Sequence, residues 1–121
     1  MDRLYSATAL ALILHQIDAA FWHEWEMFAV PGGIQGFLVF NAVAVGALLH
    51  GYRSVLLNAR HAKAWALCCG GLGVITFLVH AGFALWGHKN FSLPLSVITI
   101  LACLAFGAAL LTAALRSHPV R

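Results

Sequence analysis

Four long apolar stretches, separated by short polar turns, dominate the hydrophobic pattern of the chain. They cover about residues 4–28, 34–57, 63–86 and 93–116. Each stretch has about 24 residues, and an α-helix of that length crosses a hydrocarbon core of about 30 Å. The short connections favour antiparallel neighbours. The pattern therefore predicts an all-α fold in which residues 1–121 form one domain, a four-helix transmembrane bundle with up-down-up-down topology.

The composition agrees with a membrane protein and excludes an ordinary soluble domain. Hydrophobic residues make up 62% of the chain and charged residues 9%, whereas soluble domains have about 25% charged residues. The three cysteines do not form the pattern of a disulfide framework. The seven Lys and Arg residues are spread over the helix ends and form no basic patch. The lipid bilayer is therefore the expected partner, and no nucleic-acid partner is expected.

The distribution of basic residues predicts the orientation of the bundle in the membrane. Cytoplasmic ends of membrane proteins are enriched in Lys and Arg. In the predicted topology Lys89 lies at one end of the bundle, and all other basic residues lie at the end that carries both termini. Both termini are therefore expected in the cytoplasm. The residues at this end are Arg3, Arg53, Arg60, Lys63, Arg116 and Arg121.

Ionisable side chains lie inside three of the predicted spans, where such residues are unusual. On insertion scales a charged side chain costs about 2.5 to 3.5 kcal/mol near the middle of a membrane, so these residues are expected to face the bundle interior. Their predicted depths sort them into two layers. An inner layer contains His15 and His50, an outer layer contains His23, Glu26 and His80, and Asp18 lies between the layers.

The outer layer predicts a metal site. In a continuous first helix, His23 and Glu26 are one turn apart on one face, and His80 reaches the same depth from the third helix. Imidazole and carboxylate groups from different helices suit iron, zinc, copper or manganese. We therefore expect His23, Glu26 and His80, with Asp18 as a further ligand, to bind a transition metal. Glu24 points away from this face and is expected to be solvated at the outer surface.

Two other interpretations of the intramembrane polar residues are open. A single haem between helices would use His15 with His50, or His23 with His80, as axial ligands. A polar network without a cofactor would instead fix how the helices pack, because buried polar groups require hydrogen-bond partners.

Stripes of small residues on three helices predict where helices pack. Small side chains let membrane helices approach closely. We expect these faces to be packing surfaces, within the bundle or against other chains. They comprise Gly36, Val39, Val43, Gly46 and His50 on the second helix, Cys69, Gly73, Thr76, His80, Ala84 and Gly87 on the third, and Ser96, Thr99, Cys103, Gly107 and Ala114 on the fourth.

Two segments of the chain resemble a known family. Residues 15–26 read His-Gln-Ile-Asp-Ala-Ala-Phe-Trp-His-Glu-Trp-Glu, and residues 31–37 read Pro-Gly-Gly-Ile-Gln-Gly-Phe. These residues resemble an uncharacterised family of small four-helix bacterial integral membrane proteins. The resemblance implies a multi-pass protein of the bacterial inner membrane. Because that family has no assigned activity, the resemblance implies no catalytic residue.

Three hypotheses on function follow from these observations. The first is a small membrane protein that binds a transition metal within the membrane, for redox chemistry or metal handling. The second is a non-catalytic accessory subunit, which packs through its small-residue faces in a larger membrane complex or a homo-oligomer. The third is a single-haem or proton-coupled protein, since titratable groups inside a membrane are typical of both.

Overall fold

The computed structural model describes residues 1–117, which form α-helices joined by short turns, without a β-strand. The predicted all-α four-helix bundle is confirmed, because four of the helices are long and apolar enough to cross a membrane. Arg121, which contributes to the predicted orientation, lies outside the described residues. The helices are α1 (Asp2–Phe21), α2 (Glu24–Met27), α3 (Gly33–Leu56), α4 (Ala62–Leu85) and α5 (Pro94–Arg116), of which α2 is the short one.

Contacts at the two ends of the bundle show the up-down-up-down arrangement. At one end, Lys63 at the start of α4 donates a hydrogen bond from Nζ to the carbonyl oxygen of Ser117, 3.0 Å away. At the opposite end, Trp22 after α1 donates from Nε1 to the hydroxyl oxygen of Ser96 in α5, 3.3 Å away. Met1 and Ser117 line one cavity together with residues from the turn between α3 and α4. Both ends of the described chain therefore lie at the same end of the bundle, and the side of the membrane that this end faces stays a prediction.

Helices α4 and α5 pack closely because small residues face each other. A Cβ atom added to Gly107 would lie 2.8 Å from the carbonyl oxygen of Gly70, and one added to Gly73 would lie 2.5 Å from that of Cys103. Only glycine allows the two backbones to approach so closely. The faces predicted on the third and fourth helices are therefore confirmed over most of their length. Their buried members are Cys69, Gly73, His80, Ser96, Cys103, Gly107 and Ala114.

The face predicted for the second helix does not pack within the bundle, and its packing against another chain stays a prediction. Val39 and Val43 are 67% and 70% exposed, and Gly46 and His50 are also exposed. Helix α3 instead buries a different set of side chains against its neighbours. The buried residues of α3 are Phe37, Leu48, Gly51 and Val55.

The continuous first helix predicted over about residues 4–28 is interrupted. Helix α1 ends at Phe21, and α2 begins at Glu24. His23, between them, has φ 54° and ψ 50°, the left-handed conformation that ends a right-handed helix. The residues after His23 therefore do not continue the faces of α1.

Candidate functional site

Three side chains from three helices converge at the α2 end of the bundle. His15 comes from α1, Glu24 from α2 and His80 from α4. The two imidazole Nε2 atoms are 3.0 Å apart. Glu24 places Oε1 3.4 Å from His80 Nε2 and Oε2 3.8 Å from His15 Nε2. One possible ligand atom from each residue lies within 4.8 Å of the other two. We call these three residues the His-Glu-His cluster.

The His-Glu-His cluster is withdrawn from solvent. His15 is 1% exposed, and Glu24 and His80 are each 7% exposed. Within residues 1–117, Glu24 Oε2 and His15 Nδ1 are buried and have no hydrogen-bond partner. Buried polar atoms are normally hydrogen-bonded, so each unpartnered one calls for an explanation. An ion between the three side chains would satisfy the carboxylate.

Glu24 is ionised in this environment. Burial raises the pKa of Glu24, but attraction by the imidazoles of His15 and His80 outweighs that effect and lowers the pKa to about 2. A buried carboxylate is stable in its charged form only beside positive charge or strong donors. When both imidazoles are neutral, the same side chains offer a carboxylate and two nitrogen lone pairs, which are ligand types of transition metals.

Phe91 holds the two imidazoles from the side of α5. Its ring centroid lies 4.4 Å from that of His80 and 5.5 Å from that of His15. Phe91 is 4% exposed and has a positive φ of 62°, an unusual conformation for a bulky residue. Such backbone strain persists only where the surrounding packing enforces it. The loop before α5 therefore contributes an aromatic wall that limits how far the imidazoles can move.

The turn at His23 explains why Glu24 enters the cluster. In an unbroken helix Glu24 would follow His15 by nine residues and would lie about 180° around the helix from it. The left-handed conformation of His23 changes the direction in which Glu24 points. The expectation that Glu24 is solvated is therefore wrong. Sequence reasoning missed Glu24 because no Pro or Gly marks the break, and the tendency of His to adopt positive φ is a weak signal.

The structure does not bring His23 and Glu26 to His80. Their side chains are 59% and 70% exposed, and His23 Nδ1 lies 3.8 Å from Glu26 Oε1. The His23 ring stacks on Trp25, with centroids 4.9 Å apart. His23 and Glu26 lie near each other, as predicted, but the break before α2 leaves both outside the bundle. His15 and Glu24 occupy the places beside His80 that the sequence pattern predicts for His23 and Glu26.

Asp18 and His50 also lie outside the His-Glu-His cluster. Asp18 is half-buried, and its Oδ2 atom is buried without a hydrogen-bond partner in the described part of the chain. His50 is exposed, and its ring lies edge-on to Trp65 with centroids 5.3 Å apart.

The histidine pairs considered for haem are not formed. Tyr5 donates a hydrogen bond to the carbonyl oxygen of Leu48, 3.0 Å away. This contact places the His50 end of α3 beside Tyr5, about 15 Å along α1 from His15. His15 instead faces His80 with 3.0 Å between nitrogens, which leaves no room for a haem between them. The exposed His23 does not pair with His80.

A cavity of about 300 Å³ adjoins the cluster. His15, Glu24 and His80 contribute to its wall, together with Gln16 and Thr76. The rest of the wall is apolar and includes four aromatic side chains. These aromatic residues are Trp25, Phe28, Phe37 and Phe40.

Comparison with known proteins identifies a family that has no assigned activity. The model of a family of unknown function, DUF6713, matches residues 1–117 of the chain. No curated protein and no solved structure matches the chain. Arguments about function therefore depend on the geometry of the site.

Proposed function

We propose that this chain, which belongs to the family of unknown function DUF6713, binds one transition-metal ion through His15, Glu24 and His80. The observation that supports the proposal is the convergence of two imidazole nitrogens and one carboxylate from three helices, each buried. The four apolar helices suggest that the ion lies within a membrane or at its boundary. The proposed ligand set differs from that predicted from sequence in two of its three members.

The distances within the cluster suit a metal ion. Two nitrogen ligands at about 2.0 to 2.1 Å from one ion lie about 2.9 to 3.4 Å apart, depending on whether the geometry is octahedral or tetrahedral. The observed separation of the His15 and His80 Nε2 atoms is 3.0 Å, and the nearest carboxylate oxygen is 3.4 Å from His80 Nε2. The separation of the two imidazole nitrogens therefore matches that of two ligands on one ion.

The ligand types favour iron or zinc. Two histidines and one carboxylate form the ligand set of many non-haem Fe(II) sites and of several catalytic Zn(II) sites. Three protein ligands leave at least one coordination position open. An open position is typical of metals that bind a reactant, whereas structural zinc sites are closed by four protein ligands. Redox chemistry or metal handling is therefore the proposed role, and copper or manganese would be recognised by the same metal analysis.

Metal content of matched variants tests the proposal. The purified wild type should carry about one ion per chain, measured by mass spectrometry after loading with Fe(II) or Zn(II) and desalting, and a wild type without metal would refute the proposal. Glu24→Gln removes a charged ligand and should weaken binding at least about tenfold, since even changes to groups that only support a metal ligand have effects of that size. Glu26→Gln alters an acid of the same short helix that is 70% exposed, and should keep the ion. Full occupancy in Glu24→Gln with loss in Glu26→Gln would move the site to the exposed pair of α2.

A separate observation supports a second candidate function, that of an accessory subunit or homo-oligomer. The small-residue face of α3 lies on the surface of the bundle, and a Cβ added to Gly46 would have no atom within 4 Å among the described residues. Small residues on a lipid-facing surface suit close approach of another helix. Gly46→Leu should then dissociate a complex that the wild type forms in mild detergent. If light scattering shows that the wild type is a monomer without a bound partner, this alternative is refuted.

A further inference from the structure

We infer that the cavity beside the His-Glu-His cluster binds a lipid-soluble molecule that has an oxygen-donor head group and an apolar chain. The head group would lie at the open position of the metal, and the chain would lie in the cavity. This inference rests on the proposed metal site and adds the chemical class of its ligand.

The cavity has the composition expected of such a site. Its volume of about 300 Å³ is at the lower end of the range for small-molecule pockets, about 300 to 1,000 Å³. Apolar side chains cover most of its wall, and the polar groups are those of the cluster with Gln16 and Thr76. A polar, hydrated ligand would lose its water against this wall without replacement hydrogen bonds. An apolar chain with one polar end fits the distribution of wall residues.

A second cavity continues the first along the bundle. It has a volume of about 350 Å³ and lies between α1, α3 and α4. Gln16, Phe40 and Thr76 line both cavities, so the two spaces adjoin. A chain that begins at the cluster can therefore extend toward the opposite end of the bundle.

Gln16 adds a polar side chain where the two cavities meet. Its Oε1 atom is buried and has no hydrogen-bond partner within residues 1–117. The buried Glu24 Oε2 and His15 Nδ1 atoms, in the wall of the first cavity, are likewise unpartnered. Unpartnered buried polar atoms are rare in native proteins. The residues that carry these three atoms line the first cavity, so a polar head group at the cluster would have polar side chains around it.

The walls of both cavities reach the outer surface of the bundle. Phe40 and Ile75 of the first cavity are 55% and 56% exposed, and Leu72 of the second is 49% exposed. These side chains belong to helices that are apolar enough to span a membrane, so their exposed parts face hydrocarbon. A molecule dissolved in the bilayer can therefore enter sideways between α3 and α4 without crossing water.

Binding of two hydroxamates to the cobalt-loaded protein tests this inference. A hydroxamate binds metal through its oxygens, and Co(II) reports ligand exchange through its visible absorption. Octanohydroxamate and acetohydroxamate have the same head group and differ only in the apolar chain. In one detergent, octanohydroxamate should bind the wild type at least about tenfold more tightly, because each buried methylene group adds to affinity.

Two neighbouring residues of α4 provide the matched variants. Val79 lines the first cavity, whereas Leu78 points about 100° away around the helix and is 59% exposed. Val79→Phe fills the cavity and should reduce the preference for the longer chain to less than about threefold. Leu78→Phe should keep the preference. If Val79→Phe does not fold, Ala44→Phe, which fills the second cavity, replaces it and should lower the preference for dodecanohydroxamate in the same way.

The outcomes separate this inference from the proposed function. Failure of the wild type to bind Co(II) would refute both. Binding of Co(II) with equal affinity for the two hydroxamates would refute the lipid-soluble ligand and leave the metal site standing. A preference for the longer chain that survives in the cavity-filling variants would show that the chain lies in detergent instead of in the cavity, which would also refute the inference.

Discussion

Glu24 and Glu26 are identical side chains two residues apart that have opposite environments. The Glu24 side chain is 10% exposed and faces two histidines, whereas the Glu26 side chain is 70% exposed and lies beside one histidine, His23. The difference comes from the direction in which the first turn of α2 points each residue. An apolar environment strengthens electrostatic interactions, so Glu24 is the acid whose protonation affects the fold.

We expect the metal-free protein to lose stability in acid through Glu24. Burial raises the pKa of Glu24, but the attraction of the two imidazoles outweighs it, so the pKa is about 2 in the folded state and 4.5 ordinarily. A carboxylate whose pKa is lowered by folding stabilises the fold above its unfolded pKa, and that contribution is lost as the pH falls toward the folded pKa. The melting temperature in detergent should therefore fall between pH 4.5 and about pH 2.

Matched variants attribute this loss to one residue. The fall should be smaller in Glu24→Gln, which has no carboxylate at this position, and unchanged in Glu26→Gln. Equal falls in the wild type and in both variants would show that the acid sensitivity arises elsewhere in the chain.

At the scale of secondary structure elements, the break between α1 and α2 decides where the site is. The left-handed His23 ends α1, and long-range hydrogen bonds on both sides of Trp22 hold the turn. Asn90 donates from its side chain to the carbonyl oxygen of Trp22, 3.4 Å away, and Ser96 accepts from the Trp22 indole. The loop and the start of α5 therefore support the turn that points Glu24 into the bundle.

His23 is expected to act through its backbone conformation. Glycine adopts positive φ without steric cost, so His23→Gly should keep the fold and the metal. A β-branched residue is strained there by about 1 to 2 kcal/mol, so His23→Val should lower the melting temperature and reduce metal occupancy. Thermal unfolding and metal content of the two variants, purified identically, provide the measurement. Loss of metal in a well-folded His23→Gly would show instead that the imidazole is a ligand, as the sequence pattern predicts.

At the scale of the whole molecule, the bundle has a closely packed half and a more open one. Helices α4 and α5 approach at glycines, whereas α3 leaves cavities against α1 and α4 and presents an exposed small-residue face. Binding sites require space, and helix bundles build them between facing helices. The proposed site and the alternative interface both involve the open half, on different faces of α3.

The orientation of the bundle in the membrane is a prediction for the whole molecule. The concentration of Lys and Arg at the end that carries both termini predicts that this end is cytoplasmic. A reporter that works only in the cytoplasm should be active when it is fused after Arg121. A reporter that works only outside the cytoplasm should be inactive at this position. A second fusion in the loop at Lys89 should give the opposite result. Periplasmic activity at the C-terminus would reverse the orientation and place the His-Glu-His cluster near the cytoplasmic side.

The sequence by itself determined the class and the organisation of the protein. The number of long helices and the approximate lengths of the last three follow from the apolar stretches, because the thickness of a hydrocarbon core sets how many residues a span needs. The close approach of α4 and α5 follows from their small residues, which act through local size. His80 belongs both to the ligand set predicted from the sequence and to the proposed one, since an imidazole inside an apolar helix requires a partner.

Only the tertiary structure decided which residues join His80. A helical pattern assumes an unbroken helix, and under that assumption His23 and Glu26 share a face while Glu24 points away. The break at His23 reverses this arrangement. The contacts that hold the break come from Asn90 and Ser96, which are 68 and 74 residues away from Trp22 in the chain. Helix propensity depends on neighbouring residues and does not report contacts between residues so far apart in the chain. The packing of α1 against α5 and the loop before it therefore determined that Glu24 enters the bundle.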